Sequence, residues 1–335
     1  MINKLVELSE KLSNERKQDP ELSARMEVAA QGQSPRFLLI SPINRSSQDL
    51  QLFGMKMGDA FHGTRVPGMP LLPPQKSRIL FAGPAAYNQG FPEKRGVILT
   101  FEQADSDETI HQSIESVWLH PDLTGIPIIA FRVNYDVGSV RIIVHGKGRS
   151  YETENWLLSR VRHPDPVDSS TLVLICSDSR VQPPVTPEGL PMAIQTLGGY
   201  VPRYSEIDDE TRQLDIFFKQ WLDVNSESQE IIIIAHGNFE GEGPSCGAGQ
   251  ACLHPERVKN DLLRPIIEEL QIAAQPFESK PAEDAETRVK SLCSAIRENL
   301  LSYPSIQDIV GQRKSELINT LLMDTVSNVL STIDI

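Results

Sequence analysis

Cysteine is scarce in this chain, with four residues in 335. That is too few for a disulfide framework, so stability must come from a buried core, and thiols this sparse act more often as metal ligands or catalytic groups. Basic runs are missing as well. The 32 Lys and Arg are scattered among 45 Asp and Glu, for a formal charge of -13, and a chain without a basic stripe offers no counterion-releasing surface to nucleic acid. Long apolar runs are also lacking: Leu172 to Cys176 and Ile231 to Ala235 fall far short of the ~18 residues of a membrane span. The N-terminus, MINKLVELSEKL, alternates charged and apolar residues and shows no continuous hydrophobic stretch of a secretory signal. No internal repeat and no low-complexity tract is legible. What is present, 39% apolar and 23% charged residues, is globular composition, and the length suits two domains or one large one. The expectation is a cytoplasmic chain with no nucleic-acid partner and no membrane span.

Periodicity predicts two leader helices, Asn3 to Leu12 and Glu21 to Ala30. Strands are then expected at Phe37 to Ile40, Arg78 to Ala82, Gly96 to Phe101, Ile126 to Val133 and Val140 to Val144. A helix fits Asp107 to Leu119, capped by Asp105 or Ser106. The segment GDAFHGTR reads as a turn, and the proline-rich stretch Val66 to Pro74 as a surface loop. After a helix over Tyr151 to Val161, the Pro-, Asp- and Ser-containing stretch His163 to Ser170 sets the domain boundary. Residues 1–163 are expected to form a smaller α+β domain of unknown role with a helical leader, and residues 164–335 an α/β domain with a parallel sheet. The second part reads strand Thr171 to Ile175, strand Ala193 to Leu197, helix Asp209 to Val224, strand Glu230 to Ala235 and helix Glu256 to Ile272. The runs LVLI and IIII are continuously apolar, as suits parallel strands covered on both faces. Two helical stretches are expected beyond Ala282. The last carries Ile318, Leu321, Leu322, Val326, Val329 and Leu330 at helical spacing, a stripe for core or subunit contact.

Ligands of an open parallel sheet sit beyond the carboxyl ends of its strands. Two such ends are chemically loaded: one strand runs into Cys176-Ser177-Asp178-Ser179-Arg180, and another into His236, with Cys246-Gly247-Ala248 beyond it. Two thiolates and an imidazole suit zinc, and three protein ligands leave a fourth tetrahedral position open, as in catalytic sites. A rival set, Cys246, Cys252 and His254 with His236, would make a closed structural site and leave Cys176 without a role. The Gly-rich segment Gly237 to Gly243 lacks a following Lys-Ser or Lys-Thr pair, so it is read as a flexible connector and not a phosphate loop.

The run CSDSRV after a strand, followed by an apolar strand ending in His and a Cys-Gly-Ala beyond it, resembles the β-class carbonic anhydrases over about Leu172 to Leu270. That resemblance implies a β-carbonic-anhydrase-like parallel-sheet fold, Zn2+ on Cys176, His236 and Cys246, and a catalytic dyad of Asp178 and Arg180 beside the metal. It further implies reversible hydration of CO2 to bicarbonate and a homodimer or higher homo-oligomer, in the cytoplasm or inside a bacterial microcompartment. Nine residues separate His236 from Cys246 where the family usually has two, a widening shared with the carboxysomal-shell subclass. Gln195 to Val201 stands where the family commonly has Arg-Asn-Ala-Gly-Asn, keeping glycines but neither Arg nor Asn. Two alternatives stay open on the same scaffold: a non-catalytic zinc-stabilised binding protein, and a hydrolase of CS2 or COS.

Overall fold

Each half of the chain lays down four parallel strands and returns a fifth antiparallel to its neighbour. The computed structural model describes residues 2–225, 227–237, 246–274, 285–312 and 316–333. The first sheet holds β1 (Phe37–Pro42), β2 (Ala60–Arg65), β3 (Gly96–Glu102), β4 (Ile128–Asn134) and β5 (Ser139–Ile142), in the order β2-β1-β3-β4-β5. The second holds β6 (Val167–Cys176), β7 (Leu190–Thr196), β8 (Glu230–Gly237), β9 (Ile318–Asp324) and β10 (Leu330–Thr332), in the order β10-β9-β8-β6-β7. The β4–β5 and β9–β10 pairs are antiparallel; the others are parallel. The architecture is therefore mixed α/β with two mostly parallel sheets, and the first half, read from sequence as α+β, is built like the second.

The helices are α1 (Ile2–Gln18), α2 (Pro20–Gln31), α3 (Ser46–Leu52), α4 (Gly83–Asn88), α5 (Asp107–Trp118), α6 (Tyr151–Leu158), α7 (Asp209–Asn225), α8 (Gly247–Leu253), α9 (Arg264–Ala274), α10 (Ala285–Leu300) and α11 (Pro304–Val310). Local chemistry sets several of their ends. Ser106 caps α5 by accepting from the Thr109 N–H at 3.0 Å, and Asp19 caps α2 by accepting from Glu21 and Leu22. One apolar cluster runs through both sheets, including Leu38, Ile40 and Leu99 of the first and Leu172, Leu174 and Ile233 of the second. On another face of the second sheet, Leu5 of α1 packs with Val173, Ile175, Ile232 and Leu321. The leader helix is fixed there by the Leu330 N–H, which donates to Ser9 Oγ at 3.0 Å.

Four expectations of individual elements are corrected. Arg78–Ala82 is a π-helical turn leading into α4, not a strand. The buried Glu210 carboxylate of α7 accepts from the N–H groups of Arg78, Ile79 and Leu80 at 3.2, 3.0 and 2.8 Å and from Ser77 Oγ at 2.7 Å. Those amides are taken before a strand partner could use them. GDAFHGTR is not a turn, because Ala60–Arg65 pairs in parallel with Phe37–Pro42 and is buried throughout. Finally, the C-terminal apolar stripe is not a helix. Ile318–Asp324 pairs with β8, and a turn at Asp324 sends the chain back as β10. Asp324 Oδ1 accepts from the Val326 and Ser327 N–H groups, and Asn328 takes a φ of 54°, an Asx turn that stops any helix. The helix expected from Glu256 begins later, at Arg264.

Candidate metal centre

The site is assembled from strand ends. Continuous β-branched and apolar residues drive β6 and β8 through the core side by side, with Ile175 paired to Ile234. The first polar groups after these runs, Cys176 and His236, therefore emerge together. Cys246 stands at the start of α8, after residues 238–245, which lie outside the described residues together with most of the expected Gly-rich connector. The donor atoms of Cys176, His236 and Cys246 lie within 4.8 Å of one another, and among the described residues this is the one such grouping. The two sulfurs are 3.8 Å apart. A tetrahedral centre with Zn–S bonds of ~2.3 Å separates two sulfurs by about the same distance.

Neighbouring groups point the same way. His236 Nδ1 is paired with Thr325 Oγ1 at 3.0 Å, which leaves Nε2 buried and without a hydrogen-bond partner among the described residues. An orphaned ring nitrogen facing two thiols is what a bound metal would satisfy, so the residues fit zinc. The Gly198 N–H donates to Cys176 Sγ at 3.3 Å. It can do so because Gly198 takes a φ of 67°, a left-handed conformation open to glycine. As thiols the pair is unequal. The hydrogen bond from Cys176 and the charge of His236 pull Cys246 well down, whereas burial pushes Cys176 up.

Asp178 and Arg180 form a closed fork beside this cluster. Arg180 Nε donates to Asp178 Oδ1 at 3.0 Å, Nη2 to Oδ2 at 2.6 Å, and the Arg180 backbone N–H to Oδ1 at 2.9 Å. Both side chains are almost fully buried, at 1% and 2% exposed. Asn328 Nδ2 in turn donates to the Arg180 carbonyl at 3.1 Å, so the C-terminal turn steadies the loop. Burial pushes the Asp178 carboxyl up, but the hydrogen bond from Arg180 and the charges of His236 and Arg180 outweigh it and hold the group below its ordinary value. An ionised carboxylate is thus held 4.0 Å from His236 Nε2, beside the ligand cluster.

The five residues singled out from sequence, Cys176, Asp178, Arg180, His236 and Cys246, come together. The rival cluster does not assemble: Cys252 donates to the Ile267 carbonyl at 3.7 Å, and His254 is half exposed beside Glu256. Sequence reasoning missed the neighbours that arrive from the first half. The His62 N–H donates to the Ser177 carbonyl at 3.1 Å, and burial pushes its ring down to about 4 although Asp178 opposes the shift. Tyr87 Oη stands 2.2 Å from where a Cβ on Gly247 would be. No local motif could have revealed either, since both contacts depend on how the two sheets meet.

No protein-family model and no curated protein matches the chain. Solved structures do. The β-carbonic anhydrase CcaA is 18% identical, with 54% of this chain and 84% of that one covered and a TM-score of 0.36. A Coccomyxa β-carbonic anhydrase in complex with acetazolamide is 15% identical, covering 49% and 71%, with a TM-score of 0.34. The apo form of a carbon disulfide hydrolase is 16% identical, covering 49% and 77%, with a TM-score of 0.26. These likenesses span about half of this chain.

Proposed function

We propose that this chain is a zinc-dependent carbonic anhydrase-like lyase that interconverts carbon dioxide and bicarbonate. One observation carries the reading: a Cys176–His236–Cys246 donor set, with Cys176 and His236 buried and Cys246 partly so, stands beside a carboxylate that Arg180 keeps 4.0 Å from the imidazole. Three donors with a restrained fourth group suit a catalytic metal site and not a closed structural one. Zinc held there supplies a nucleophile at neutral pH by lowering the pKa of water from about 15.7 to about 7.

The chain's own residues do the rest. Thr325 fixes His236 so that Nε2 faces the two sulfurs, and the Gly198 N–H steadies the Cys176 sulfur. Asp178, kept ionised by Arg180, accepts a hydrogen bond from the attacking hydroxyl group and turns its lone pair toward carbon. The surrounding burial limits the water that could compete. The self-association and cytoplasmic or microcompartment setting expected from sequence belong to the same proposal.

Stopped-flow CO2 hydration by zinc-loaded protein tests it. Turnover should be present in the wild type, absent in Cys176→Ser with its zinc lost, and lower by on the order of 10²-fold in Asp178→Asn with zinc retained. Full zinc but no CO2 hydration between about pH 6 and 9 refutes the reading. Parallel assays with CS2 and COS then separate a hydrolase from a non-catalytic zinc-stabilised protein.

A further inference from the structure

The two sheets share more than a class. Written in chain order, both run second-first-third-fourth-fifth, with the fifth strand antiparallel. Their registers superimpose residue by residue: Ser41 faces Thr64 as Cys176 faces Thr196, and Ile40 faces Leu99 as Ile175 faces Ile234. Carried along the strands, this places Ser41 at the position of Cys176, Ile43 at that of Asp178, Arg45 at that of Arg180 and Phe101 at that of His236. All four cysteines lie in the second half. Phe101 is fully buried, and its ring lies 4.7 Å from the buried Arg65 guanidinium, which is itself paired with Asp105, so the position equivalent to the metal ligand holds an apolar ring with no donor atom. A phenyl ring offers a divalent cation no ligand.

The halves also meet through equivalent parts. The segment after β1 reaches the open edge of β7: Ser46 Oγ donates to the Ala193 carbonyl at 3.0 Å and Ser47 Oγ to the Pro191 carbonyl at 2.6 Å. The segment after β6 reaches β2 and the turn before it: the His62 N–H donates to the Ser177 carbonyl at 3.1 Å and the Gly58 N–H to the Ser179 carbonyl at 2.7 Å. Element i touching j while j touches i is the signature of two-fold association between identical subunits. Here both elements belong to one chain.

We infer that the first half is a metal-free internal copy of the second, standing where a second subunit would pack and completing the wall of the metal site within a single chain. The inference rests on the metal-site reading above. Its contact with the ligand segment is specific. Gly247, directly after the ligand Cys246, has no room for a side chain, because a Cβ would lie 2.2 Å from Tyr87 Oη and 3.0 Å from Gln33 Nε2 of the first half.

The test follows zinc transfer from the loaded full-length chain to a chromophoric chelator, which reads the site without any turnover. Across a dilution series down to the single chain, checked by light scattering, the transfer rate should stay constant. Zinc shed on dissociation to single chains overturns the inference. Gly247→Ala should speed transfer about tenfold, the scale of lost support around a metal ligand. Tyr87→Phe alone should change it little, while the double variant Gly247→Ala/Tyr87→Phe should recover a large part of the wild-type rate, because the hydroxyl at 2.2 Å is gone and only the 3.0–3.1 Å contacts with Gln33 Nε2 and the ring Cζ remain to be relieved. A double variant as fast as Gly247→Ala overturns the inference, as does a folded wild type that binds no zinc. A chain that passes these tests yet hydrates no CO2 refutes the proposed activity alone.

Discussion

Arg180→Ala is the perturbation that tests the site most directly, because its effect should depend on whether metal is bound. The substitution removes the hydrogen bonds to Asp178 from Nε and Nη2 and leaves a carboxylate 1% exposed without its guanidinium. Breaking a buried pair by removing one partner costs about 3–5 kcal/mol. In metal-free protein that full loss is expected. In zinc-loaded protein the carboxylate has somewhere to go: its Oδ2 is 4.0 Å from His236 Nε2, and oxygen and nitrogen ligands on one tetrahedral zinc stand about 3.3 Å apart. A shift of under about 1 Å then makes Asp178 a ligand, which restores much of the stability and closes the fourth position. Denaturant unfolding of wild type and variant, each with zinc and with chelator, gives the double difference. The variant should lose markedly less stability with zinc than without, and should lose CO2 hydration. Equal losses in both forms would refute the reasoning, because Asp178 would then have no access to the metal. Arg180→Lys, which keeps charge but not the fork, should fall between the two.

Asp49 and His62 should write opposite slopes into the pH dependence of stability. Burial pushes Asp49 up to about 6 against the hydroxyls of Ser41, Thr100 and Tyr135, so the folded protein binds extra proton between about pH 4 and 6. Stability from that group falls as pH rises through the window, by up to about 3 kcal/mol. Burial pushes His62 down to about 4, so its contribution rises with pH from about 4 to 6.5 and nearly offsets the loss. In metal-free His62→Gln, where His120 and His145, also pushed down by burial, still contribute a rise, the unfolding curves should tilt toward falling stability by up to about 3 kcal/mol relative to wild type across that window, and an unchanged profile contradicts the pairing. Leu5→Ala should cost about 3 kcal/mol, as for other buried leucines, although it lies in the leader, because Leu5 is fully buried against the second sheet; a stability within error of wild type counts against that docking. Alkylation of metal-free native protein, followed by mass spectrometry, should label Cys246 first and spare Cys293, whose buried thiol is pushed up to about 12. Early labelling of Cys293 would contradict its burial.

Two of the candidate metal ligands, Cys176 and His236, were legible because each stands at the end of a strand whose character is written locally. LVLI and IIII are long enough, and β-branched enough, to be strands whatever surrounds them, so Cys176 and His236 fall at their ends by counting. The first sheet was half legible for the same reason: Phe37, Gly96 and Ile128 begin apolar runs, whereas Ala60–Arg65 carries a His, a Gly and an Arg, and only pairing with β1 makes it a strand. Arg78–Ala82 has strand-like residues, but a carboxylate 130 positions downstream claims its amides. Sequence spacing contains no term for such a partner. The duplicated topology was invisible in sequence because what repeats is register and strand order, while Ser41, Ile43 and Phe101 have replaced the residues that would have advertised it.

The stretch Gln195 to Val201 shows what a motif preserves when its letters change. The candidate metal site draws on its backbone, since the Gly198 N–H bonds the Cys176 sulfur and Thr196 Oγ1 donates to the Tyr200 carbonyl at 2.7 Å to hold the turn. The Gln195 side chain is another matter. It pairs across the sheet with Ile175, so strand alternation sets it on the opposite face from Cys176 and Thr196. It is fully buried, and neither its Nε2 nor its Oε1 has a hydrogen-bond partner among the described residues. Two unpaired polar atoms in a buried amide destabilise the fold, so an apolar residue of similar length should do better. Gln195→Met is expected to raise stability by about 1–3 kcal/mol while leaving zinc transfer to a chelator at the wild-type rate, because the glycine backbone that supports Cys176 is untouched. Chemical unfolding and zinc transfer measured on the same protein check both halves. A less stable variant would show that the amide has a partner worth keeping, and a stable variant with loosened zinc would show that position 195 acts on the metal through the strand, contrary to the alternation that separates them.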